Sequence, residues 1–237
     1  MWLLVLGVHG QTAISKSYAV KPGQAVSLTF DYPELVKVST WDKNEVSLQG
    51  TVSINGGEND DAFELQQSQD GNTFYLESRI CDLKNLPQRI TVVENGNKMV
   101  FRTKADYRKY QEEHGRKHNF VSWGQEIDIV LEVKVPAGVE TRVKSVYGLV
   151  EVTNFSGPLQ VHSVYGGVDA ALREPAIGEI VAETNFGQIY TNLDAKFSGE
   201  GMRQKDFHTW VSARPGSGPR CSFESEYGNV YLRKATN

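Results

Sequence analysis

Apolar and polar residues alternate in short runs along most of this chain, the mark of strands with one buried face. Ala25 to Phe30 alternates, as do Val36 to Thr40, Val46 to Val52 and Ile127 to Val135. Pro22-Gly23 and Asp42 to Asn44 supply turns between the first three. Phe63 to Gln67 and Phe74 to Ser78 flank Asp70-Gly71-Asn72, while Ile90 to Val93 and Met99 to Phe101 flank Asn95-Gly96, so two hairpins are predicted. Residues 103–119 break the pattern. They are polar and mixed in charge, and they predict a short exposed helix from about Lys104 to His114, ended by Gly115.

Beyond Thr141 the alternation acquires a second order, because one phrase recurs four times. Each copy holds an apolar residue (Val143, Val161, Ala182, Phe223), then a hydroxyl (Ser145, Ser163, Thr184, Ser225), then an aromatic (Tyr147, Tyr165, Phe186, Tyr227). Steps of two place these three on one strand face, predicted to be the inner one. Gly148, Gly166, Gly187 and Gly228 follow, and the next apolar residue (Val150, Val168, Ile189, Val230) comes an odd step after the aromatic. The glycine is therefore read as a corner that needs glycine's backbone freedom. Gly157 and Gly178 mark weaker half-repeats.

A period of roughly twenty residues with two strand–corner units predicts a short right-handed parallel β-helix (a solenoid), its coils stacked in chain order. The long gap before Gly228 is read as a degraded coil across Phe197 to Gly218. The fold class expected is all-β, with an antiparallel β-sandwich as the alternative. The expected organisation is a signal-peptide remnant over 1–10, an N-terminal β section over 11–102, a polar insertion over 103–124 and the β-helical repeats over 125–237.

Composition agrees with β structure: the 237 residues include 22 glycines, ten tyrosines and ten phenylalanines. With 25 Lys+Arg against 29 Asp+Glu the net charge is −4 and no basic stripe stands out, so nucleic acid is not an expected partner. Met1 to Val8 is a short apolar run ahead of His9-Gly10-Gln11, which predicts the tail of a secretory signal peptide cut after Gly10. Lacking a basic start, it is expected to continue a longer leader; the alternative is a hydrophobic N-terminal strand. No other run has bilayer-spanning length, so no transmembrane segment is expected in the mature chain, and the expected location is periplasmic or secreted to the cell surface. Cys81 and Cys221 lie in no CxxC motif, leaving a disulfide or two buried thiols open.

The Ser-x-Tyr-Gly-x-Val phrase, with Val38 to Val46 and Val52 to Ala62 before it, resembles the bacterial "putative adhesin" family, in particular its Bacteroidetes-type members, over most of residues 17–234. The resemblance implies a secreted, repeat-built β protein of unknown function and supplies no catalytic residues. The function expected is an exported, non-enzymatic binding or cell-envelope structural module. Its partner is unknown, with an envelope protein or a polysaccharide as candidates. Two alternatives are a β-helical carbohydrate-active enzyme, lyase or hydrolase, and a periplasmic accessory to envelope signalling.

Candidate chemistry lies between the repeated positions. Lys144, His162, Glu183 and Glu224 form a predicted outward column able to do acid–base work. A second column holds Glu151, Asp169, Tyr190 and Tyr231, where two carboxylates suggest Ca²⁺ and two rings suggest sugar stacking. His114 and His118 beside Glu112 and Glu113, and the Asn59-Asp60-Asp61 cluster, lack the spacing of known metal motifs. Trp41, Trp123 and Trp210 are read as packing residues. No catalytic, metal or cofactor residue is assigned from the sequence.

Overall fold

The structure, a computed structural model, describes residues 10–115, 120–197 and 202–236. The apolar run Met1 to Val8 and His118 lie outside the described residues. The strands begin with β1 (Thr12–Ala19), β2 (Ala25–Phe30), β3 (Leu35–Trp41) and β4 (Glu45–Ile54), followed by the hairpin β5 (Phe63–Asp70) and β6 (Thr73–Ile80). A second hairpin, β7 (Arg89–Glu94) and β8 (Asn97–Phe101), leads to helix α1 (Lys104–His114) and β9 (Phe120–Gly124). The repeats follow β10 (Ile127–Pro136) as β11 (Thr141–Ser145), β12 (Leu149–Val152), β13 (Leu159–Ser163), β14 (Val168–Leu172), β15 (Glu179–Thr184) and β16 (Ile189–Thr191). Last come β17 (Met202–Lys205), β18 (His208–Ala213), β19 (Arg220–Ser225) and β20 (Val230–Lys234).

The described residues are all-β apart from α1 and three short 3-10 turns, and the two large sheets are mixed. One has eight strands in the order β1-β4-β10-β3-β12-β14-β20-β16, the other nine in the order β17-β18-β15-β19-β13-β11-β2-β6-β5. The repeat strands pair in parallel and in register: Val143 lies beside Leu28 and Val161, and Val161 beside Phe223. Three of the four sheet ends are antiparallel, through β1–β4–β10, β5–β6 and β15–β18–β17, while β16 closes the eight-stranded sheet in parallel with β20. The chain alternates between sheets, each β2/β3, β11/β12, β13/β14, β15/β16 and β19/β20 pair making one rung. Phe30, Val161 and Phe223 from one inner face and Val38, Val150 and Leu232 from the other share one core.

Two sequence expectations need correction. The rungs do not stack in chain order, because β19/β20 inserts between β13/β14 and β15/β16. The segment read as a degraded coil holds the antiparallel hairpin β17–β18, which adds to β15 at the sheet end. Its charged edge residues Arg203 and Lys205 suit a terminal strand, where a flat apolar edge would recruit other chains.

The helix forms where the polar stretch predicted it. Thr103 and Asp106 cap each other reciprocally at its start, and Gly115 closes it at φ 89°, a left-handed angle that glycine tolerates. Its Tyr107 is buried with Ile90 and Val92 in a small core of its own, over the sheet β8-β7-β9.

Candidate functional site

The recurring phrase divides at its hydroxyl, and the division creates a surface feature. Ser145, Ser163, Thr184 and Ser225 are fully buried, each ending the alternating run of its strand. Three of them accept the N–H of the glycine three residues on, at 3.3 Å for Ser145, 3.0 Å for Thr184 and 2.8 Å for Ser225. Three also donate to a glycine carbonyl on the adjacent rung: Ser163 to Gly148 at 3.3 Å, Ser225 to Gly166 at 2.7 Å and Thr184 to Gly228 at 2.9 Å. Buried hydroxyls and turning backbone thus satisfy each other.

The glycines have a different reason from the one the sequence suggested. None of Gly148, Gly166, Gly228 and Gly187 has a left-handed φ. A Cβ at Gly148 would overlap the Pro33 carbonyl oxygen, and at Gly166, Gly228 and Gly187 it would overlap the carbonyl of the preceding glycine in the stack. Glycine is needed for close approach between rungs. The weaker half-repeat at Gly157 does use the left-handed region, at φ 132°.

The corner therefore begins just after the hydroxyl, and the aromatic points outward. This corrects the inward placement of Tyr147, Tyr165, Phe186 and Tyr227, which are between 51% and 58% exposed. Parallel rungs about 4.8 Å apart bring their rings face to face. The series runs Tyr32–Tyr147 (5.6 Å between centroids), Tyr147–Tyr165 (5.3 Å), Tyr165–Tyr227 (5.2 Å), Tyr227–Phe186 (5.0 Å) and Phe186–Phe207 (5.8 Å). Planes meet at 6° to 29°, the offset-stacked geometry that aromatic quadrupoles favour. The backbone keeps its ladder through the corner: Tyr165 N–H donates to the Val146 carbonyl at 2.8 Å and Tyr227 N–H to the Val164 carbonyl at 2.9 Å.

Two members of this ridge escaped sequence reasoning. Tyr32 follows β2 without a glycine, yet register sets Phe30 beside Ser145 and so Tyr32 beside Tyr147. Burial first, then Tyr147 and Asp31, push its phenol above the usual range. Phe207 comes from the tip of the β17–β18 hairpin and is 73% exposed.

No family model and no curated protein matches this chain. It is similar to the crystal structure of a "putative cell adhesion protein" from Clostridium sporogenes, at 12% identity over 95% of this chain and 100% of that one, with a TM-score of 0.48. It is also similar to that of a "putative adhesin" from Bacteroides fragilis, at 11% identity over 95% and 98%, with a TM-score of 0.21. At these values neither likeness carries a fold or a function across.

The predicted polar column does lie along one row of the nine-stranded sheet, in the order Lys144, His162, Glu224, Glu183. His162 Nε2 sits 3.0 Å from Glu226, and Glu183 is 2.7 Å from His208 Nε2, so each of the two is engaged beside the row. On the other sheet Glu151 and Asp169 are adjacent, but Asp169 is held by Arg233, whose Nε donates to it at 2.7 Å. Tyr190 and Tyr231 stack at 5.1 Å, making a second, shorter aromatic pair. Asp60 accepts from Ile54 N–H and the Thr12 hydroxyl, both at 2.6 Å, which gives the Asn59-Asp60-Asp61 cluster a loop-holding role. Among the described residues no three His, Cys, Asp or Glu side chains group as a metal site would require. Trp123 is 52% exposed under the Lys104 ammonium, correcting its reading as a packing residue.

Both cysteines are free. Cys221 is buried beside a cavity of about 200 Å³ at the opposite corner, and desolvation pushes its thiol up to about 11.

Proposed function

We propose that this protein is an exported, non-enzymatic binding module of the adhesin type, built on a short, interrupted β-helix, and that the aromatic ridge is its contact surface. The observation that carries the reading is the run of six stacked rings, from Tyr32 to Phe207, most of it left open to solvent. A monomeric protein rarely leaves so large a contiguous apolar strip uncovered without a use for it. Rigid rings mounted on a hydrogen-bonded ladder also lose little side-chain entropy when a partner covers them.

The test is saturable binding of labelled protein to isolated bacterial envelopes, comparing the native chain with the double variant Tyr165→Ala/Tyr227→Ala. The expected result is that the variant keeps its circular dichroism spectrum and loses most of the binding. Equal binding by both proteins, or no binding by either, refutes the reading.

A further inference from the structure

The two large sheets end unequally beside Phe207. The eight-stranded sheet stops at β16, whereas the nine-stranded one continues past β15 through β18 and β17. Where the shorter sheet stops, a groove of about 780 Å³ opens between β16 and the β17–β18 hairpin. That volume suits a bound small molecule or the end of a chain.

The lining has a specific chemistry. Phe186 and Phe207, the last two rings of the ridge, border the groove, and Tyr190 borders it from β16. Planar amides come from Gln188, Gln204 and Asn229, and a carboxylate from Asp206. The amides are partly fixed in advance. The Tyr190 hydroxyl donates to Gln188 Oε1 at 2.7 Å, the Gln188 backbone N–H donates to Asn229 Oδ1 at 2.9 Å, and Asn229 Nδ2 donates to the Tyr231 hydroxyl at 3.1 Å. Tyr190 is also braced from behind by its stack on Tyr231.

A pyranose has an apolar C–H face and a rim of hydroxyls that both donate and accept. Ring faces match the first, and amides and a carboxylate match the second. An extended peptide would instead call for a row of aliphatic pockets along a strand edge. The Asp206 carboxyl is the acidic group of the lining, and among the described residues no basic side chain lines the groove beside it, which disfavours an anionic sugar. We propose that the groove binds the end of a neutral oligosaccharide chain, the rest of which lies along the ridge. This rests on the ridge being the contact surface and names its ligand.

Calorimetry on the full chain would test it with cellohexaose, chitohexaose, xylohexaose and hexagalacturonic acid as probes. At least one neutral hexamer should bind, the acidic one should not, and Tyr190→Ala and Gln204→Ala should each weaken binding by about tenfold, the loss of one good contact. Lys144→Ala, on the outer row of the nine-stranded sheet and outside both groove and ridge, should leave it unchanged. Circular dichroism confirms that each variant is folded. The proposal is overturned if no neutral hexamer binds, if the acidic hexamer binds best, or if the groove variants bind as the native chain does. When envelope binding still depends on Tyr165 and Tyr227 in those cases, the ridge reading survives and the sugar assignment alone falls.

Discussion

Two columns run up the same corner of this molecule, two residues apart in sequence and on opposite sides of the backbone. The inner one, Ser145, Ser163, Ser225 and Thr184 with their glycines, is sealed and hydrogen-bonded between rungs. The outer one, Tyr147, Tyr165, Tyr227 and Phe186, is stacked and open to solvent. Both recur in sequence with equal regularity. Recurrence therefore says that a position is repeated in space, and only the side of the backbone says whether it holds the fold or is available to a partner.

Substitutions should separate the columns, the inner ones acting on stability and the outer ones on binding. The largest loss is expected from Gly166→Ala or Gly228→Ala, where the new Cβ meets a neighbouring rung's backbone carbonyl. Such a clash has no flexible partner to yield, so urea unfolding should report about 3 kcal/mol or more. Next comes an interior group on the opposite corner. The Cys221 thiol is raised in the folded state from 9.0 to about 11, so stability is intact below pH 9 and falls as pH rises through that window. The loss is of order 2 kcal/mol, and Cys221→Ala should flatten this alkaline slope. Ser225→Ala strips the partner from the Gly228 N–H and the Gly166 carbonyl, and should cost about 1–2 kcal/mol in the same urea measurement. On the outer column, Tyr165→Ala removes two ring contacts at a partly exposed site and should cost about 1 kcal/mol. Smallest of all, Lys144→Ala on the solvent row should stay within about 0.5 kcal/mol of the native chain.

Much of this was legible in the chain. Period-two runs located β2, β3, β4 and β10, Asn95-Gly96 and Asp70-Gly71 located the hairpins, and the polar stretch located α1. The apolar and hydroxyl positions of the phrase were placed inside, where Val143, Val161, Ser145 and Ser163 lie. Parity failed at one point. It carried the alternation through to the glycine, whereas the backbone leaves the strand right after the hydroxyl, and this turns the ring outward. Sequence order could not reveal that β19/β20 enters between earlier rungs, because any rung presents the same register and the same glycine gap to its neighbour. The groove was illegible for a related reason. It exists because one sheet outruns the other, a property of the assembled edges rather than of any local run.

The ridge, as proposed, is a contact surface laid over a scaffold that does not depend on it. The most direct measurement takes the Tyr165→Ala/Tyr227→Ala protein through thermal unfolding and envelope binding side by side. A melting temperature within a few degrees of the native chain together with loss of most binding is the predicted result. A collapse in melting temperature like that of Gly228→Ala, with binding per folded molecule unchanged, would contradict it and make the ridge part of the scaffold.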